Sequence, residues 1–377
     1  MALQASGGNP PTNSISFSQI VTEFGQNSSS SLGGYRMNNL NIGDLTEVSL
    51  DRDGCGISAS GSIPVDQQTI KFSDFFSSRL NVIVDCHSGS NENRVNAKND
   101  KYNASTASGN YTVVGPGSKP SNTSGKKIII HVNKTIGSLG GSTSLCALRT
   151  GTWNNGTDLR VEVGNNGLIS GAGGNGGEGA GSERSDGAPG FDGSSGLGIE
   201  YTGGTTFVTT EGNGRIVGGG GGGGGGGSAY GKTERSPKPT IRAEGGGGGG
   251  GAGIPAGDGG APGSGGGAGS QSSNATGSEG TASEGGNGGE GSERNQGGEG
   301  NFTRGGDGAN GGDLGAEGGT GSGGSAGGGE WEWGPVAYGG GSGGEAGDAI
   351  RRVVGAPAPD TSGGASTTGA TNAVGVA

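Results

Sequence analysis

Residues 212–227 read Gly-Asn-Gly-Arg-Ile-Val and then ten consecutive glycines, Gly218 to Gly227. Glycine has no side chain to bury and loses more backbone freedom on folding than any other residue. A run of ten therefore cannot build a hydrophobic core. It is either a flexible linker or an extended chain held by backbone hydrogen bonds to close neighbours. The short turn and the isoleucine in front of it decide where that change of regime begins.

Working outward, the same opening recurs. Gly164–Gly174 reads GNNGLISGAGG, and Val132–Gly141 reads VNKTIGSLGG. Each has an asparagine turn, an isoleucine and then glycine, so the repeat marks where the chain leaves β structure. About three quarters of the 100 glycines lie between Gly171 and Gly347. Many fall on every third position: 187, 190, 193 and 196, then 257 to 269, then 312 to 327. Three residues per turn is the period of a polyproline-II-type helix, whose backbone groups are free to pair with neighbouring helices. The runs shift phase and the chain holds only 13 prolines, which excludes collagen. The expectation is a bundle of polyglycine-II helices. The non-glycine interruptions 182–189, 228–244, 270–284, 292–304 and 330–338 are then the loops joining rod to rod.

Upstream, short β-branched runs bounded by Gly, Asn and Ser predict strands at 79–85, 111–115, 127–133, 145–150, 159–164 and 205–210, as a small sandwich or a solenoid-like stack. Residues 15–25 have apolar spacing for one short helix, and 69–76 repeats its Phe-Ser unit. The fold class is mainly β with a glycine-rich polyglycine-II helix bundle and a small N-terminal anchoring segment. The expected units are 1–78 for attachment, 79–217 for the β-rich domain and 218–348 for the bundle, with a glycine-rich entry from 171. Residues 349–377 are a closing strand and a polar tail.

Charge is uneven. Residues 171–348 carry 21 acidic and 8 basic side chains, against 13 and 15 elsewhere. No basic cluster suits nucleic acid. Cys55, Cys86 and Cys146 have no disulfide or zinc spacing, and His87 and His131 complete no ligand set. No metal site, cofactor or enzyme activity is expected. No signal peptide or membrane-length apolar run is present, so an extracellular destination would need assembly in a cell followed by lysis.

Two motifs need weighing. Gly226–Thr233 matches GxxxxGK[ST], but glycines precede it, and Pro237 and Pro239 bar a following helix. Gly305–Asp313, GGDGANGGD, matches a calcium-binding nonapeptide only in part: Asn310 replaces an acid and the apolar eighth residue is missing. The aromatics of the interruptions are more informative. A glycine bundle offers them no apolar pocket, so they either contact a surface or staple the bundle end.

The segment Ile15–Asp85, with ISFSQIVTEFG, SLGGYR and IPVDQQTIKFSDFFSSRLNVIVD, resembles opening segments of structural proteins from tailed bacteriophages, marine and cyanobacterial ones above all. The asparagine-isoleucine repeat followed by polyglycine resembles glycine-rich phage tail-fibre and adhesin tips. The resemblance implies a virion tail protein, assembled in the host cytoplasm, whose residues 1–78 hold other tail proteins. It implies that loops between glycine rods meet a carbohydrate or outer-membrane protein of the host. The loop residues it points to are Tyr230, Lys232, Arg235, Phe302, Arg304, Trp331, Trp333 and Tyr338. A homotrimer is the expectation from the symmetry common in fibres. The departure is that this chain carries its own N-terminal and β domains. A structural tail, baseplate or neck appendage without receptor contact is the alternative.

Overall fold

The computed structural model describes residues 15–24, 32, 71–72, 80–86, 92–104, 111–114, 119–181, 185–234, 240–264, 270–271, 273–296, 300–329, 331–372 and 376. Of the expected attachment segment 1–78, only 15–24, 32 and 71–72 fall among them. The chain is mainly β.

The strands wind in coils. The first coil holds β1 (Asn81–Asp85), β2 (Glu92–Asn93) and β3 (Val95–Asn96), followed by β4 (Tyr111–Val114). The second holds β5 (Lys127–Val132), β6 (Thr135–Gly137) and β7 (Cys146–Arg149). The third holds β8 (Asp158–Val163), β9 (Leu168–Ser170) and β10 (Ser195–Ile199). The fourth opens with β11 (Thr206–Thr210) and β12 (Arg215–Val217). The chain then leaves through β13 (Ala229–Thr233), β14 (Thr240–Ala243), β15 (Ser270–Gln271), β16 (Glu293–Gln296), β17 (Asn301–Arg304), β18 (Ser325–Gly327) and β19 (Trp331–Ala337). It returns to close the fourth coil with β20 (Ile350–Arg352), and β21 (Thr367–Thr368) and β22 (Thr371–Asn372) follow.

Successive coils stack in parallel to make three faces, ordered β11-β8-β5-β1, β2-β6-β9-β12-β21 and β22-β20-β10-β7-β3. The antiparallel β4 covers the open side of β1. This is a β-solenoid. The runs NVIVD and KIIIHV are almost continuously apolar because these parallel strands are covered on both sides. Val82, Ile128 and Leu159 lie in register and point into the core. Ile83 and Ile129, on the other side of the same strands, are also fully buried. The helix α1 (Phe17–Phe24) has Ile20 and Phe24 buried, and the Thr22 carbonyl accepts a hydrogen bond from Lys126 Nζ at 3.4 Å.

The sequence repeat is the coil repeat. Ile136, Ile169 and Ile216 stack in register along one face. At the preceding corner Asn133 Oδ1 accepts from the Asn166 N–H, and Asn165 Oδ1 from the Asn213 N–H, both at 3.0 Å. These side chains bond one coil to the next, which is why each turn carries an asparagine. The next corner differs from coil to coil. In the second coil it closes with residues 138–145, in the third with 171–194 and in the fourth with 218–349. The glycine-rich region is thus two excursions from one corner of the solenoid. Residues 349–377, expected as a closing strand and tail, include β20–β22 and so extend the stack, with Phe207 bridging to Asp360.

The excursions form ten extended segments joined by backbone hydrogen bonds: 171–181, 187–194, 218–227, 245–253, 255–263, 274–281, 284–292, 305–313, 315–324 and 338–348. In 218–227 the N–H groups donate in rotation to three neighbours. Gly219, Gly222 and Gly225 donate to Ser194, Phe191 and Ala188; Gly220, Gly223 and Gly226 to Ala252, Gly249 and Gly246; Gly221, Gly224 and Gly227 to Ala316, Gly319 and Ser322. Three further segments donate into the run, through Gly174 to Gly220, Ala309 to Gly224 and Gly344 to Gly222. It therefore has six neighbours, and 245–253 has six as well. With these two adjacent segments at the centre, the other eight close a ring around them. Residues 274–281, expected as part of a loop, are one of the ring segments.

Candidate functional site

Glycine runs end where side chains return. At the end of the bundle away from the solenoid, the longer connections pair into two antiparallel sheets. One is β14-β13-β19 and the other β15-β16-β17-β18. They pack on each other, β14 against β16 and β17, and β13 against β17 and β18. Ala229, Ile241, Ala243, Thr233 and Thr303 are buried in this tip. Beneath it, Glu244 accepts from Ser292 Oγ at 2.8 Å and pairs with Arg294 at 3.5 Å, both charged side chains being almost completely buried. A buried pair of this kind ties the start of one glycine segment to the end of another, because breaking it would leave an uncompensated charge.

The loop residues pointed to by sequence divide between the two sheets. Tyr230 is buried on β13 and stacks on Tyr338, ring centroids 6.2 Å apart and planes at 22°. Lys232, on the same strand, pairs with Glu332 at 2.8 Å. The Trp331 ring lies over Gly231, where a Cβ would run into it. Trp333 is the register partner of Lys232 on β19. Phe302 and Arg304 alternate outward on β17 beside buried Asn301 and Thr303. Phe302 is 37% exposed and lies against its register partner Gly327. Arg304 pairs with Asp307 at 3.3 Å across exposed surface. Arg235 lies outside the described residues. Tyr230, Tyr338 and Trp331 are thus engaged within the tip, and Phe302 and Arg304 face outward.

Sequence reasoning does not single out Glu332, because its pair with Lys232 depends on β13 and β19 lying side by side, two segments that the sequence reads as separate loops. It also misses a concavity away from the tip. A cavity of about 510 Å³ at the junction of bundle and solenoid is lined by Thr143, Glu317, Glu345, Asp348, Arg351 and Asn372 among others. Its floor is self-satisfied: Arg351 pairs with Asp348 at 3.1 Å, and Asn372 Nδ2 donates to the same carboxylate.

The weighed motifs have structural occupations. Gly226 and Gly227 belong to a glycine segment and Gly231, Lys232 and Thr233 to β13, so the GxxxxGK[ST] string does not sit in a loop before a helix. In GGDGANGGD, Asp307, Asn310 and Asp313 accept from the N–H groups of Gly291, Gly288 and Gly285 at 2.9–3.0 Å. Their three-residue spacing matches the neighbouring segment. Among the described residues, no three His, Cys, Asp or Glu side chains are grouped to hold a metal ion. No helix among them is long and apolar enough to cross a membrane. Compared with protein-family models, with curated proteins and with solved structures, the chain matches none.

Proposed function

We propose that this chain is a tail-fibre or receptor-binding protein of a tailed bacteriophage, with the tip as the surface that meets the host cell. The observation that carries the reading is the segregation of chemistry. The longer non-glycine connections, with their aromatic and charged side chains, collect at the end of the bundle opposite the solenoid. An extended scaffold held by backbone bonds tolerates change in such connections, as a surface that tracks a variable receptor requires. In this reading the glycine segments are polyglycine-II helices. Hydrogen bonds repeating every third residue and six neighbours around each central run support that assignment. The segment 1–78 attaches to other tail proteins, and the ligand is a surface carbohydrate or outer-membrane protein.

Phe302 and Arg304 are the first residues to test. Phe302→Ala/Arg304→Ala is expected to abolish host adsorption while the purified chain melts as the wild type does. Antibodies against the tip, raised on the folded protein, should decorate the far end of the virion tail and block adsorption. Decoration with adsorption unchanged would favour a structural appendage, and virions without the antigen would overturn the phage assignment.

A further inference from the structure

The first coils hold an arrangement that the tip does not explain. The π-helical turn Ala97–Tyr102 places Lys98 Nζ 4.2 Å from the Tyr102 ring centroid and 4.1 Å from that of Trp153. Lys119 Nζ lies 5.0 Å from the same Tyr102 centroid and 4.8 Å from that of Tyr111, and donates to the Tyr102 carbonyl at 2.7 Å. Two ammonium groups thus share one ring. Among the described residues neither ammonium group is paired with a carboxylate, and the Lys98 ammonium meets only the two rings. The carboxylates of this region are engaged elsewhere. Asp100 accepts from the Asn96 N–H at 2.7 Å, and Glu200 holds Arg149 at 3.5 Å. Burial first, and the Lys119 charge second, lower the Lys98 pKa to about 8. The fold therefore holds two cations together at an energetic cost, in a chain of net charge −11.

We propose that Lys98 and Lys119 form an oxyanion site that takes a phosphate group, free or as a monoester. A bound anion removes both penalties, by supplying the missing counter-charge and by accepting the unused N–H donors of Lys98. Lysine binds phosphate as a compact point charge, and each ammonium group carries three N–H donors that can reach phosphate oxygens. Tyr102 and Trp153 are themselves buried, so they wall the site and hold the ammonium groups in place. The charged and titratable groups around Lys98 are Lys119, Tyr102 and Tyr111, with Asp100 and Lys101 on its own turn. Because a bound anion favours protonated Lys98, affinity falls as pH rises through its titration.

The test is NMR of the full chain labelled at the lysine side chains, titrated with inorganic phosphate at constant ionic strength. Lys98 and Lys119 signals should move saturably, and the Lys98 titration should shift from near 8 toward the ordinary lysine value. Glycerol phosphate in place of phosphate separates the two sources: tighter binding of the ester identifies a phosphorylated ligand, and equal binding identifies the free anion. Lys98→Gln and Lys119→Gln should each weaken phosphate about tenfold or more. Lys232→Gln, at the tip, should leave it unchanged. A Lys98 titration indifferent to phosphate in the wild-type chain would overturn the proposal, as would wild-type affinity in the double variant.

Discussion

Gly222 sits at the centre of the bundle, where a Cβ would overlap the carbonyl oxygen of Asn175. No side chain fits that approach of backbone to backbone. Gly222→Ala is expected to destabilise the bundle by about 1–3 kcal/mol, read as a lower denaturant midpoint. Gly334→Ala, on β19 with open space around the added methyl, is the control and should stay within about 0.5 kcal/mol. Titrating residues in the solenoid predict a second behaviour. Lys98 is lowered to about 8, so its penalty is present below that pH and is relieved as pH rises toward its unfolded value near 10.5. Tyr102 is raised to about 12, chiefly by burial, so its neutral form contributes stability below pH 10 that is lost between 10 and 12. Cys146, also raised to about 12 by burial, acts in the same direction above pH 9. Lys98→Met should therefore flatten the rise in stability between pH 8 and 10.5 and leave the loss above pH 10 in place.

At the scale of elements, the asparagine corners and the rod surfaces use one device. A side-chain oxygen accepts an N–H that has no backbone partner, on a neighbouring coil or segment. Asn165→Ala removes the acceptor for the Asn213 N–H and for its side chain. The bonds are exposed, so the expected loss is about 0.5–1.5 kcal/mol, seen as earlier unfolding of the solenoid. Much of this level is legible in the sequence. The β-branched runs are solenoid strands, and the asparagine-isoleucine repeat is the coil repeat. The loop boundaries are less legible: 274–281 looks like a polar interruption, yet its backbone bonds to 245–253, 255–263 and 284–292. Side chains such as Thr276 and Glu279 stand outward and do not disturb those bonds. The aromatic residues of the tip are visible as breaks in a glycine background. That Tyr230 is covered is not, because its stacking partner Tyr338 lies far along the chain.

At the scale of the molecule, solenoid and bundle differ in independence. The second coil passes its corner with residues 138–145 alone, so the solenoid does not need the excursions to turn. Replacing 171–194 and 218–349 with corners of that length is expected to leave a folded β protein, checked by circular dichroism and cooperative melting. Residues 218–349 in isolation should not fold. They lack the segments 171–181 and 187–194, which pair with the central runs, and would expose acceptors and donors on one whole side of the bundle.

By itself the sequence determined part of the local state: the β-branched strands of the solenoid, the asparagine turns, and the stretches too poor in side chains to build a core, but not the strands β10, β13, β14, β16, β17 and β19. What it determined follows from the preferences of individual residues and their short-range spacing. Only the tertiary structure decided that the glycine segments leave from one corner of a solenoid, that two of them lie at the centre with six neighbours each, and that the chain's last strands rejoin the stack. A glycine presents the same N–H and C=O to every neighbour, so nothing in a glycine run names its partner. The choice is made by the rest of the chain, through the corners that launch each segment and the connections that bring it back.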